Sequence, residues 1–204
     1  MLADLHTGLR TLLYQAGHID PDAVDIVFEA PARAWIASLT RPTLDFFLYD
    51  LEENTERRQT AVQTSRGNGH GVHRLPPRRL DLHYMVSALT ADVGDEHLLL
   101  WRTLVTLMQH PTIPAELLPA EIRALELPVL TAVDKPKDSA RALDIWSAFD
   151  TAPRPALLCT VTVPVDLDIE LTSPLVLSRT VRYADAAQPT KHLEQHTLTP
   201  DPKS

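Results

Sequence analysis

This sequence predicts an α+β fold, with a mostly antiparallel or mixed sheet and two helices packed on one face. Three observations carry that expectation. Residues 43–51 and 80–90 alternate apolar and polar positions with a period of two, the signature of half-buried strands. Residues 1–14 and 96–109 repeat their apolar positions with a helical period. These stretches neither alternate strictly along the chain nor segregate into separate halves, which points to α+β.

The chain has 204 residues, enough for one domain with a real core, and its 44% hydrophobic and 23% charged residues place it among globular proteins. No run reaches the roughly 18–20 apolar residues of a membrane span. The first residues lack a basic region and a cleavage site, so no signal peptide is expected. Cys159 is the only cysteine, which excludes an internal disulfide and fits a reducing, cytoplasmic setting. Seventeen prolines against six glycines predict stiff connections and few tight hairpins.

Taken in order, residues 1–14 place Leu2, Leu5, Leu9, Leu12 and Leu13 at helical spacing, and the helix should end near Gly17. Val24, Ile26 and Phe28 share one side of a short strand. Residues 30–39, with Trp35, form a short helix or an irregular plug, and Pro42 marks a boundary. In 43–51, Leu44, Phe46 and Leu48 lie on one side and Phe47 and Tyr49 on the other, which predicts a strand in the middle of the sheet. Residues 52–79 show no sustained apolar period and read as a long basic loop or an extended hairpin arm.

Residues 80–110 are the centre of the fold. Leu80, Leu82, Tyr84, Val86 and Ala88 should face the core, with Asp81, His83 and Ser87 on the less apolar side. A turn at 91–95 leads into a helix over 96–109. There Leu98, Trp101, Val105 and Met108 form one face, flanked by Leu100, Leu104 and Leu107. Arg102, Thr103, Thr106 and Gln109 make a narrower polar stripe. So wide an apolar surface predicts cover from the sheet and from something more, another helix or a neighbouring subunit.

The chain beyond is proline-rich and should hold at least one short helical turn, then a strand within 127–133 and an exposed turn at 134–138. A helix over 139–149, capped by Ser139, should bury Leu143, Trp146 and Phe149. Residues 157–167 alternate as a strand, and Pro164 places that part at an edge or past the ladder. Residues 175–183 are a last strand, and 184–204 read as a flexible tail. The domain reading is a single domain over 1–183 followed by that tail.

No nucleophile elbow, P-loop, dinucleotide fingerprint or zincin motif is present. His70 and His73 have no thiol or carboxylate near them in sequence, too few ligands for a metal site. Asp95 and Glu96 precede a helix and read as acids at the positive end of its dipole. Asp20, Asp22 and Asp25 lack the rest of a calcium loop. Cys159 reads as a packed thiol and His83 as a half-exposed histidine. No catalytic residue, cofactor or metal is therefore expected.

One feature rises above this background. Arg57, Arg58, Arg66, Arg74, Arg78 and Arg79 fall in a stretch with no acid. It carries +6 within an overall −8, leaving −14 elsewhere. A basic arm on an acidic body suits docking on an acidic protein surface, including an identical neighbour. Nucleic acid is disfavoured, because the body is acidic and the arm has no aromatic residue for stacking.

The ordered set of segments resembles the cap, or tail-terminator, proteins of phage-tail-like extracellular contractile injection systems of the antifeeding-prophage and virulence-cassette type. The resemblance covers about residues 1–183. It rests on VDIVFEAPARAWIASLTRPTLDFFLYDLEEN, the PPRRLDLHYMVSALTADVGDEHLLLWRTLVTLMQHPTIP block, LDIWSAF and PALLCTVTVPVDL. Its most specific pieces are RP-T-x-x-x-F-L-Y-D-x-x-E-N and R-L-D-L-x-Y-x-V. It implies a structural, non-enzymatic cap, a homo-hexameric ring closing the inner tube and contractile sheath and holding the sheath extended. Its partners would be further copies, tube and sheath, with no membrane. The alternative is a soluble enzyme or small-molecule binder whose site is assembled from scattered residues.

Overall fold

The computed structural model of the protein describes residues 1–59, 63–67, 70–133, 139–174, 179–184 and 193–198. The chain divides into two units, residues 1–59 with 77–166 and residues 60–76 with 167–204.

The first unit begins with α1 (Leu2–Ala16), which buries Leu5, Leu9, Leu12 and Leu13 and ends on Gly17 as its leucine spacing predicts. Leu2, expected on the same stripe, stays exposed in the first turn. β1 (Asp25–Val27) runs parallel to β2 (Thr43–Glu53), and α2 (Arg33–Ser38) bridges them. β5 (Arg78–Leu89) pairs antiparallel with β2 and, on its other edge, with β7 (Ala156–Val165). β6 (Leu130–Val133) closes the far edge, giving a mixed five-stranded sheet of order β1-β2-β5-β7-β6. β2 is thus internal, as its two apolar faces predict. β6 stops opposite Thr162, so Pro164 lies where no strand flanks β7 on that side.

α3 (Val93–Gln109) follows β5 directly. It starts three residues before the expected 96, because Asp92 caps it by accepting from the backbone N–H of Gly94 at 2.7 Å and of Asp95 at 3.2 Å. The proline-rich connection holds a 3₁₀ turn (Ala115–Leu117) and α4 (Ala120–Arg123). α5 (Ser139–Ala148) precedes β7. The turn expected at 134–138 and the Ser139 cap lie outside the described residues or side chains.

The sheet separates two apolar clusters. On one face Leu44, Phe46, Leu82, Tyr84, Val86, Ala88, Cys159, Val161 and Val163 pack with Leu5, Leu9 and Leu13 of α1 and Leu99, Leu100 and Leu107 of α3. This is the expected arrangement of two helices on one face. On the other face Met85, Leu89 and Leu158 enclose Trp146 of α5, joined by Trp35, Ile36 and Leu39 at α2. β5 is therefore buried on both faces over its second half, where the sequence had suggested one. Leu143 is exposed, because the face of α5 that packs on the sheet is centred on Ala142, Ile145 and Trp146.

In the second unit, β3 (Gln63–Gly67) and β4 (His70–Arg74) form an antiparallel hairpin, the extended arm foreseen as one reading of 52–79. β8 (Glu170–Pro174) pairs with β4 to make three strands. β9 (Arg179–Ala184) and β10 (Leu193–Leu198) form a separate antiparallel pair. Part of the expected flexible tail, 193–198, is thus a strand.

Candidate assembly interface

The six arginines divide between the two units. In the first unit Arg58 donates bidentately to Glu53, at 2.7 and 3.0 Å, and Arg78 reaches the same carboxylate at 3.4 Å. Arg79 donates to the Pro128 carbonyl at 3.0 Å. Arg57 is exposed, and its backbone N–H donates to Asn54 Oδ1 at 2.9 Å. Glu53, flanking the acid-free stretch, thus neutralises part of its charge, and its own carboxyl is held below the usual range, first by the Arg58 hydrogen bond. In the second unit Arg66 lies in β3, and Arg74 stands 3.7 Å from Asp168.

The α3 helix holds the feature that the sequence placed on the wrong side. Its buried residues are Glu96, Leu99, Leu100, Thr103, Thr106 and Leu107, so the stripe assigned to solvent carries two core threonines. Thr103 Oγ1 donates to the Leu99 carbonyl and Thr106 Oγ1 to the Arg102 carbonyl, each at 2.8 Å. These bonds satisfy the hydroxyls one turn back within the helix. The expected apolar face turns outward instead: Leu98, Trp101 and Met108 are 47%, 64% and 68% exposed, with Val105 half-buried between them. Spacings of three, four and three residues align these four side chains in one seam, the pattern of a helix that packs against another surface.

On the opposite face of the sheet, a groove of about 280 Å³ runs between α2 and the β5–α3 corner, lined by Ile36, Leu39, Pro42, Leu89, Arg41 and Arg154. Arg154 bonds the buried Glu96 carboxylate at 3.3 Å, so Glu96 is a buried ion-pair partner rather than only an acid at the helix start. Arg41 pairs with Asp25 at 3.0 Å.

Other polar groupings are structural. His83 lies between Thr160 Oγ1, 2.9 Å from Nδ1, and Glu52 Oε1, 3.3 Å from Nε2, across three adjacent strands. Beside it Asp81 accepts from Thr162 at 2.6 Å and from Asn54 at 2.8 Å. These are cross-strand ladders that tie β2, β5 and β7 together. Cys159 is buried in the core. Asp45 is fully buried, and burial pushes its carboxyl up to about 7. Among the described residues, no group of three or more histidines, cysteines or acids could hold a metal ion, and no helix is long and apolar enough to cross a membrane.

Comparison with known proteins places this arrangement. The model of the Pvc16 N-terminal domain family matches residues 4–178. Among solved structures, the sheath/tube terminator of the extracellular contractile injection system PVC, in its extended state, is similar with a TM-score of 0.62 and 22% identity. The match covers 91% of this chain and 65% of that one. The tube-terminating cap of the anti-feeding prophage is similar with a TM-score of 0.62 and 22% identity, over 89% of this chain and 62% of that one. The chain thus spans slightly under two thirds of the length of either, and at this identity the likeness is one of fold. No curated protein matches the chain by sequence.

Proposed function

The chain belongs to the Pvc16 N-terminal domain family, and from that premise we propose that it is a structural cap of a phage-tail-like contractile injection system. It would terminate the inner tube and the contractile sheath and hold the sheath in its extended state. The observation that carries the reading is the family match over residues 4–178, supported by a fold shared with two terminating caps. The reading assigns no catalytic role and no cofactor, and nothing in the comparisons favours the enzymatic alternative.

The finer parts of the proposal are a closed ring of six copies, the number the sequence resemblance implies, assembled in the cytoplasm with tube and sheath as partners. The α3 seam supports a protein neighbour: three large apolar side chains exposed on one helix face mark an interaction surface. The basic stretch is assigned a docking role on an acidic neighbour, with Arg57, Arg58, Arg66, Arg74, Arg78 and Arg79 as its candidate contacts; Arg58 and Arg78 would be shared with Glu53. The strand-forming tail is assigned edge pairing with a sheath subunit.

The test is to produce the particle with and without this chain and to image it by electron microscopy. Loss of the chain should give tubes of uncontrolled length, or sheaths contracted or open at one end. Particles of unchanged length and closed ends would overturn the proposal.

A further inference from the structure

We infer that the α3 seam of one copy seats in the α2 groove of the next, with Trp101 as the central knob. This rests on the ring reading above and names the surfaces that make the ring.

The two surfaces lie on opposite sides of one sheet. α3 packs in the cluster with α1, whereas Ile36, Leu39 and Leu89 belong to the cluster around Trp146. A seam that met an identical seam across a two-fold axis would give a dimer and stop there. A cyclic assembly of more than two copies needs two different, complementary surfaces on each copy. The seam supplies the convex one, with Trp101 and Met108 projecting. The groove supplies a concave one, lined by Ile36, Leu39, Pro42 and Leu89 together with Arg41 and Arg154.

Their chemistry also matches. Arg41 and Arg154 are held in place by Asp25 and Glu96, at 3.0 and 3.3 Å, and their side chains stay 43% and 35% exposed, so part of each planar guanidinium is open to contact. An indole is the best ring for stacking on such a face, and a fixed guanidinium loses little freedom on accepting it. Leu98 and Met108, on either side of Trp101, would cover Leu39 and Pro42, the apolar part of the groove. The acids that hold the two arginines also limit the groove's net positive charge. An apolar seam therefore fits it better than an acidic peptide would.

The test is cross-linking in assembled particles with a short bis-maleimide. His97→Cys and Thr40→Cys change exposed residues beside the seam and at the groove and leave Trp101 in place, and the native Cys159 is buried and should not react. The doubly substituted chain should give a ladder of cross-linked copies up to the closed ring, and neither single variant should give one. A second pair, Met108→Cys with Ala91→Cys, covers a shift in register, and denaturation curves like the wild type's certify folding. A dimer from His97→Cys alone would show the seam meeting itself and overturn the inference. So would a bond from His97→Cys to a tube or sheath protein, or no cross-link from either pair. If capped particles form normally while both pairs stay silent, the interface is wrong and the cap reading stands. If the ladder forms but particles made without the chain are unchanged, the interface stands and the cap reading falls.

Discussion

Thr103 donates its hydroxyl to the carbonyl of Leu99, one turn back in α3, at 2.8 Å. On the same side of the helix Leu99, Leu100 and Leu107 pack into the core. With its hydroxyl satisfied, Thr103 is fully buried, and Trp101, two residues earlier, is left 64% exposed.

Two neighbouring residues test this orientation. Leu100 is 6% exposed and Trp101 64%, though the sequence marks both as core. Leu100→Ala should cost about 2–5 kcal/mol, the usual loss for a truncated core leucine. Trp101→Ala should change the stability of the free chain by about 0.5 kcal/mol or less, because it removes a surface group. Urea unfolding of the two variants reads both. The reverse ranking would return the helix to the face its hydrophobic pattern suggests.

Gly8 gives a second test, in which packing opposes propensity. Alanine is the better helix former by about 1 kcal/mol, so Gly8→Ala inside α1 would ordinarily stabilise. Here the new methyl group would be driven into the backbone carbonyl of Leu117, in the 3₁₀ turn. A backbone group cannot swing aside as a side chain can. Gly8→Ala should therefore destabilise, by about 1–3 kcal/mol, as overpacking does. A midpoint shift to higher denaturant would show that α1 and the turn separate easily.

The contrast between these sites shows how far the sequence could be read. The strands 43–51 and 80–90 and the helix at 1–14 were legible because their apolar period is unbroken. Trp146 was identifiable as buried for the same reason. The α3 face was not, since a threonine counts as polar in any periodicity and only its helical context shows that its hydroxyl is satisfied. The second buried face of β5 was hidden because Met85 and Leu89 share it with the polar Asp81, His83 and Ser87. Its cover comes from α2 and α5, remote in sequence. The arginines were visible as a charge cluster, but the pairing of Arg78 with Glu53 needs β2 beside β5, which spacing along the chain does not reveal.

Asp45 carries a pH prediction. It is fully buried opposite Ser87, and its Oδ2 and the Ser87 hydroxyl have no hydrogen-bond partner. Burial raises its carboxyl from 3.8 to about 7, opposed by a hydrogen bond from the Glu29 N–H and assisted by the Glu29 charge. A raised folded-state value means the folded protein prefers the protonated form. The associated stability is fully present below the unfolded value and fades as pH rises toward 7, by on the order of a few kcal/mol. Asp45→Asn keeps an acceptor for Glu29 and cannot ionise. The variant should match the wild type near pH 4, gain on it steadily to pH 7 and stay ahead above that. Thermal unfolding across this range is the measurement, and parallel curves would show that Asp45 is not protonated in the fold.

Arg154 and Glu96 give the last prediction, one that separates a charge pair from mere packing. The Glu96 side chain is 6% exposed and bonds Arg154 through Oε2, while its Oε1 has no hydrogen-bond partner. Arg154 also fixes the second helix layer, since its backbone carbonyl accepts from Trp146 Nε1 at 3.1 Å. Arg154→Met keeps that carbonyl and much of the side-chain bulk but strands the carboxylate. The cost should be about 1–3 kcal/mol, below the usual figure for a broken buried pair because Arg154 is 35% exposed and water screens it. Adding Glu96→Gln should recover most of that loss, since no buried charge then remains. If the double variant is no better than Arg154→Met alone, the arginine contributes by packing and the pair carries no net coupling.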